Sequence, residues 1–291
     1  MSNTFFSLLP IAYSHLPFAE DERCNHIKSQ MSRIAELFNQ RSKPVLNIYC
    51  TAGYPELEST SQVMEALQEA GADMIELGMP YSDPLADGPV IQASSSKALE
   101  NGMTITKMFE QIKNFRNKIH LPVLLMGYMN PVIQFGFEKF CAEAAEKGID
   151  GLILPDLPIY EFETDYGATI KKNGLDFIFL VTPETSDERI RKLDELSSGF
   201  LYAVSSSSTT GSEKDFNSVE EYLKRLKNMN LKNHVLAGFG IKDRQTFQAA
   251  CKYASGAIIA TAYIKVLEKT KDIGRTTHDF LSAILNTNNK E

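Results

Sequence analysis

The sequence predicts an α/β fold, a single (β/α)8 barrel of parallel strands with an extra helix at its N-terminal side. Three observations lead there. First, one phrase recurs: a polar helical stretch ends at a glycine, an aspartate or small residue follows, a short apolar run comes next, and proline closes it. It reads GADMIELGMP from Gly71, GIDGLILPDLP from Gly148 and GLDFIFLVTP from Gly174. Second, weaker copies fill the gaps and bring the number of apolar runs to eight. Third, the segments between the runs carry helical spacing, as in Val63, Leu67 and Ala70 or Ile190, Leu193 and Leu196.

The elements follow in order. Residues 1–30 hold two prolines, mixed charge and no partner strand, and are expected to form a loose N-terminal extension. Residues 31–291 make the barrel. In SRIAELFNQ, the residues Ile34, Leu37 and Phe38 share one face and suit a helix that plugs the barrel's N-terminal end. The strands are expected in PVLNIYC from Pro44, then from Gly71, LPVLLMGY from Leu121, then from Gly148 and Gly174, GFLYAVS from Gly199, NHVLAGFG from Asn233 and SGAIIATA from Ser255. Glycine can take the left-handed conformation that stops a helix, the apolar run suits a strand buried on both faces, and proline cannot extend a ladder. Strand alternating with helix means a parallel sheet with right-handed crossovers, and eight similar units fit a closed TIM barrel better than an open doubly wound sheet.

Composition excludes several function classes. The chain has 291 residues, 30 of them basic and 37 acidic, so it lacks the concentrated basic character of a nucleic-acid binder. No apolar stretch is long enough to cross a bilayer, and the apolar start MSNTFFSLLPIAY has neither a basic lead nor a cleavage site, so a cytoplasmic protein is expected. Cys24, Cys50, Cys141 and Cys251 are widely spaced, and His15, His26, His120, His234 and His278 show no ligand spacing. Neither a metal nor a disulfide is expected.

Candidate chemistry gathers after the strands, where barrels of this type place their sites. Glu76 lies inside the second apolar run between Ile75 and Leu77. If these two pack outward, Glu76 points into the barrel, where an ion loses solvation unless something compensates. The alternatives are a salt-bridged core glutamate and a functional acid. Asp87 follows in YSDPLADGP, a loop whose path Pro84, Gly88 and Pro89 restrict, with Asp83, Pro84 and Leu85 on its exposed rim. Asp83, and Asp156 in LPDLP, read as turn or cap residues. SSSSTTGSE from Ser205, AGFGIKD from Ala237 and IIATAYIK from Ile258 follow the last three strands, where exposed N–H groups at glycines and helix starts can cradle a phosphate.

The run ELGMPYSDPLADGP, the Ser/Thr-Gly loop and GFGI together resemble the tryptophan synthase α family, from Met31 to about Leu267. That resemblance implies a carbon–carbon lyase of tryptophan biosynthesis, cleaving indole-3-glycerol phosphate to indole and glyceraldehyde 3-phosphate. Glu76 and Asp87 match the acid/base pair. Tyr49, Tyr128 and Phe239 match residues lining the indole pocket, Tyr202 lies near the glycerol moiety, and Gly211, Gly240, Ala260 and Thr261 meet the phosphate. Ala260 and Thr261 stand where glycine and serine are usual, and SSSSTTG lacks a frequent arginine. The resemblance further implies no cofactor in this chain and a partner β subunit carrying pyridoxal phosphate, in an α2β2 heterotetramer. A catalytically idle subunit that only activates its partner, or another phosphate-binding barrel, are the rival readings.

Overall fold

The eight apolar runs are eight parallel strands. The computed structural model describes residues 31–204 and 213–285, so the expected extension, residues 1–30, lies outside the described residues. The strands are β1 Val45–Thr51, β2 Met74–Gly78, β3 Val123–Met126, β4 Gly151–Ile153, β5 in two segments (Asp176–Phe177 and Leu180–Val181), β6 Phe200–Ala203, β7 His234–Ala237 and β8 Gly256–Ile259. Each pairs with its neighbours in sequence, and β1 pairs with β8, with Val45 opposite Gly256 and Ile48 opposite Ile259.

Closure of the ring depends on β5. Its first segment bonds to β4, with the Ile178 N–H reaching the Leu152 carbonyl at 3.1 Å. Its second segment pairs with β6, and the Tyr202 N–H reaches the Phe179 carbonyl at 3.0 Å. One run therefore serves both edges, and the sheet has no free end among the described residues. The sequence expected an unbroken strand here. The two-residue interruption arises where the run passes from one neighbour to the other.

Side chains alternate between two cores, as a closed barrel requires. Val45, Met74, Leu124, Ile153, Phe200, Leu236 and Ile258 fill the interior. Ile75 and Leu77 belong to the outer core beneath the helices, together with Val63, Leu67, Ile190 and Leu193. The expected plug is present as helix Arg33–Gln40, capped by the Ser32 hydroxyl, which accepts from the Ala35 N–H. Ile34, Leu37 and Phe38 pack on the interior core, and the Phe38 ring stacks on His234 at the start of β7 with centroids 4.3 Å apart.

The recurrent Gly-x-Asp phrase also has a physical explanation. Gly71, Gly148 and Gly174 turn the chain with φ of +95°, +89° and +70°. The aspartate two residues later then reaches the neighbouring strand. Asp73 accepts from the Leu46 N–H at 2.9 Å, and Asp150 from the Val123 N–H at 2.7 Å. Arg41 pairs with Asp73, and Arg33 and Arg116 with Asp150. These bonds lie at the N-terminal ends of the strands and leave the opposite mouth free for chemistry.

Candidate active site

Glu76 is fully buried on β2, with Met74 below it on the same interior face. The Asn47 amide nitrogen donates to its Oε1 at 2.6 Å. Its Oε2 is buried without a hydrogen-bond partner among the described residues. Burial disfavours the anion and pushes the carboxyl up to about 8, with the Asn47 bond acting in the opposite direction. Among the described residues no cation pairs with Glu76, so the salt-bridged alternative finds no support there and burial favours the neutral acid in the barrel interior.

Asp87 hangs over the mouth in the loop after β2. The Tyr128 hydroxyl, at the end of β3, donates to its Oδ2 at 3.0 Å and accepts from the Ala86 N–H at 3.1 Å. Tyr81 lies against Tyr128 with centroids 5.4 Å apart, and its hydroxyl accepts from the Asn130 amide. The loop is thus fastened to the neighbouring strand end at both its start and its carboxylate. Partial burial raises the Asp87 carboxyl from its ordinary value, and the Tyr128 hydroxyl lowers it.

Tyr49 and Tyr202 complete the polar layer. Tyr49 stands opposite Glu76 in the β1–β2 register, and Tyr202 projects from β6 into the interior core. Both phenols are raised first by burial and then by nearby carboxylates: Tyr49 by Asp87 and Glu76, Tyr202 by Glu76 and Asp87. The two tyrosines therefore lie in the field of both acids. Their rings are admitted by two glycines. A Cβ at Gly78 would meet the Tyr49 hydroxyl, and one at Gly238 would meet the Tyr202 ring.

A buried acid on β2 under a tethered carboxylate loop, on an eight-stranded parallel barrel, can be compared with known proteins. The family model described as tryptophan synthase alpha chain matches residues 35–290. The tryptophan synthase alpha chain of Flavobacterium johnsoniae is 52% identical over 241 residues, covering 82% of this chain and 95% of that one. The chain belongs to the tryptophan synthase α family. The subunit alpha structure from Legionella pneumophila superposes with a TM-score of 0.81 at 33% identity, covering 88% of this chain and 98% of that one. A tryptophan synthase structure from M. tuberculosis in its aminoacrylate-bound form gives 0.77 at 30% identity, covering 87% of this chain and 99% of that one. The reaction of a tryptophan synthase α chain is cleavage of indole-3-glycerol phosphate to indole and glyceraldehyde 3-phosphate, so the chain is a lyase of tryptophan biosynthesis.

The residues expected from the α-family resemblance fall into two groups. Glu76, Asp87, Tyr49, Tyr128 and Tyr202 are linked by the contacts and charge effects above. Gly240 lies in the loop after β7 with φ +62°, and Ala260 and Thr261 begin helix Thr261–Glu268 after the adjacent β8. Gly211 lies outside the described residues. Phe239 is half-buried, packs against the outer core and has its ring beside Tyr222, 6.5 Å between centroids.

Two details differ from the sequence reading, and Asp156 bears it out. Pro84, expected on the exposed rim, is buried, because the loop turns its proline inward while Leu85 is 91% exposed. Asp156 is a cap, but of the preceding unit: both its oxygens accept from the Met129 N–H at 3.0 Å, at the start of helix Met129–Phe135. Asn47, Gly78 and Gly238 were not singled out for the site. Asn47 had a legible signal, as an amide two residues before Tyr49 in an apolar strand and therefore on the same face. The glycines had none, since their role is set by rings from other strands.

Proposed function

We propose that Glu76 and Asp87 are the acid/base pair of this lyase. The observation that carries the reading is the carboxyl of Glu76, buried with neither a cation nor a partner for one oxygen among the described residues, and its pKa pushed up to about 8. Breaking the bond to indole C3 would expel a carbanion, so C3 must first be protonated, leaving a cationic ring that can accept the bonding electrons. Glu76 holds a proton near neutrality and supplies it. As the electrons enter the ring, Glu76 takes the proton of the glycerol hydroxyl and the aldehyde forms. Asp87, with Tyr128 donating to it, offers a negative charge to the indole N–H as positive charge develops.

Tyr49, Tyr128, Tyr202 and Phe239 line the pocket for the indole and glycerol parts in this reading. The phosphate is held by backbone N–H groups of Gly211, Gly240, Ala260 and Thr261, at a glycine turn and a helix start, without a cofactor or metal. The chain acts in the cytoplasm; among the described residues no helix is long and apolar enough to cross a membrane. Its partner is a β subunit that carries pyridoxal phosphate, in an α2β2 assembly. Leu85, Ile133 and Tyr160, exposed by 91%, 50% and 73%, sit after the successive strands β2, β3 and β4 and supply apolar contacts for such a partner.

Indole release from indole-3-glycerol phosphate tests the pair directly. Glu76→Gln and Asp87→Asn keep size and shape but lose proton transfer and negative charge respectively. Each is expected to lower kcat by about 10²- to 10⁴-fold with unchanged circular dichroism. Activity within threefold of wild type in either variant removes that residue from the mechanism.

A further inference from the structure

Asn47 is fully buried on β1, in an interior whose neighbouring members Val45, Met74, Leu236 and Ile258 are aliphatic. An amide in such a place is costly unless its groups are bonded. Asn47 satisfies only one end. Its Nδ2 donates to Glu76 Oε1 at 2.6 Å, while its Oδ1 has no hydrogen-bond partner among the described residues. An asparagine serving to knit strands would engage backbone groups, yet the one side-chain bond of Asn47 goes to a carboxylate oxygen. Glu76 Oε2 is the other unpartnered atom of the pair.

We propose that Asn47 is a positioning residue for Glu76, donating to Oε1 so that the carboxyl is held in one rotation and Oε2 is the oxygen that delivers and recovers the proton. This rests on the reading of Glu76 as the acid/base group. A donor on Oε1 lowers the basicity of that oxygen, so the proton resides on Oε2. Oε2 gives it to indole C3; when the carbon–carbon bonding electrons move into the ring, Oε2 takes the glycerol hydroxyl proton, and the enzyme's proton count is restored. While Glu76 is ionised, the amide stabilises the anion that the barrel interior disfavours.

The other titratable groups in the field of Glu76 are Tyr49 and Cys50 on β1 and Tyr202 on β6; Asp87, in the loop after β2, acts in turn on Tyr49 and Tyr202. Burial pushes the Cys50 thiol up to about 12 and raises both phenols above their ordinary value. Burial raises the Asp87 carboxyl as well, and the Tyr128 hydroxyl lowers it.

Asn47→Leu keeps the branched shape of the side chain and removes the donor. Two readouts are taken on the full-length chain: steady-state cleavage of indole-3-glycerol phosphate against pH, and a carbon-13 carboxyl titration in which the Glu76 signal is assigned by its loss in Glu76→Gln. The expected result is a kcat about 10- to 100-fold lower with KM within about twofold, and a Glu76 titration and alkaline limb of kcat moved up by about one pH unit. Asn47→Ser, whose hydroxyl can still donate, should recover part of both effects; Asn47→Ala, which has no donor and is smaller, gives the same readouts as Asn47→Leu if the latter does not fold. An unchanged Glu76 titration with kcat within threefold overturns the proposal. Full activity in Glu76→Gln instead overturns the acid/base reading beneath it, and leaves the titration to report the hydrogen bond alone.

Discussion

Glu76 meets two opposed demands, because a group placed to hold a proton at neutral pH must sit where its anion is poorly solvated, and such a site weakens the fold. The unfolded carboxyl ionises near 4.5 and the folded one near 8, so between these values the folded state retains a proton that the unfolded state releases. Stability attributable to this group therefore falls as pH rises from about 4.5 to about 8 and is level above that. Glu76→Gln removes the dependence. Its stability advantage over wild type should be absent near pH 4, grow through neutrality and plateau above pH 8, with an upper bound of roughly 5 kcal/mol. Urea midpoints at pH 5, 7 and 9 measure it; a constant difference between the two proteins across that range would mean that Glu76 is not held neutral by burial. Tyr128 acts on the other carboxylate. Tyr128→Phe deletes the bond to Asp87 and the acceptor for the Ala86 N–H, so kcat/KM should drop about 5- to 30-fold, with the acid limb moved to higher pH as Asp87 loses a donor to its charged form. A pH–rate profile that superposes on wild type would show that the tether is idle.

At the scale of the element, the helix Arg33–Gln40 is the clearest case of a short segment whose value lies in what it covers. It is eight residues long and would be marginal alone in water. Ile34, fully buried, and Phe38, stacked on His234, close the N-terminal end of the barrel interior. Residues 1–30 supply no strand of the repeat and are proposed to be dispensable for folding. A chain beginning at Met31 is expected to melt within a few degrees of the full-length form and to cleave substrate equally well, whereas a chain beginning at Pro44 should be insoluble or unfolded. Within the intact chain, Ile34→Ala should cost about 2–5 kcal/mol, read from denaturant midpoints. A loss of folding in the chain starting at Met31 would assign a structural task to the extension. The periodicity of the helix was legible in sequence because its apolar face recurs at helical spacing. The split of β5 was not, since Asp176–Val181 reads as one apolar run and the interruption is imposed by bonding to β4 and β6 on opposite sides.

For the whole molecule, the barrel places every strand's carboxyl end on one face, so the loop that carries Asp87 and the apolar side chains after β2, β3 and β4 lie on the same side. If these side chains meet the β subunit, added β subunit should accelerate indole formation by ordering the loop that carries Asp87. Leu85→Ser and Tyr160→Ser should reduce that stimulation several-fold while the isolated chain's rate stays within about twofold; equal stimulation of wild type and variants would place the partner elsewhere. Pro84, being buried, is not the residue with which to probe this surface. By itself the sequence determined the eight strands, the plug helix, the presence of an acid in β2 and the carboxylate loop beyond it. Each of these depends on local pattern: apolar runs bounded by glycine and proline, helical spacing, and a charge where an apolar residue belongs. Only the tertiary structure decided that Glu76 has no cation beside it among the described residues and is bound through one oxygen by Asn47, that Tyr128 holds Asp87, and that Gly78 and Gly238 are small because Tyr49 and Tyr202 pass over them. Those facts join residues from different strands, and the closing of the ring, which no local pattern encodes, sets the distances between them.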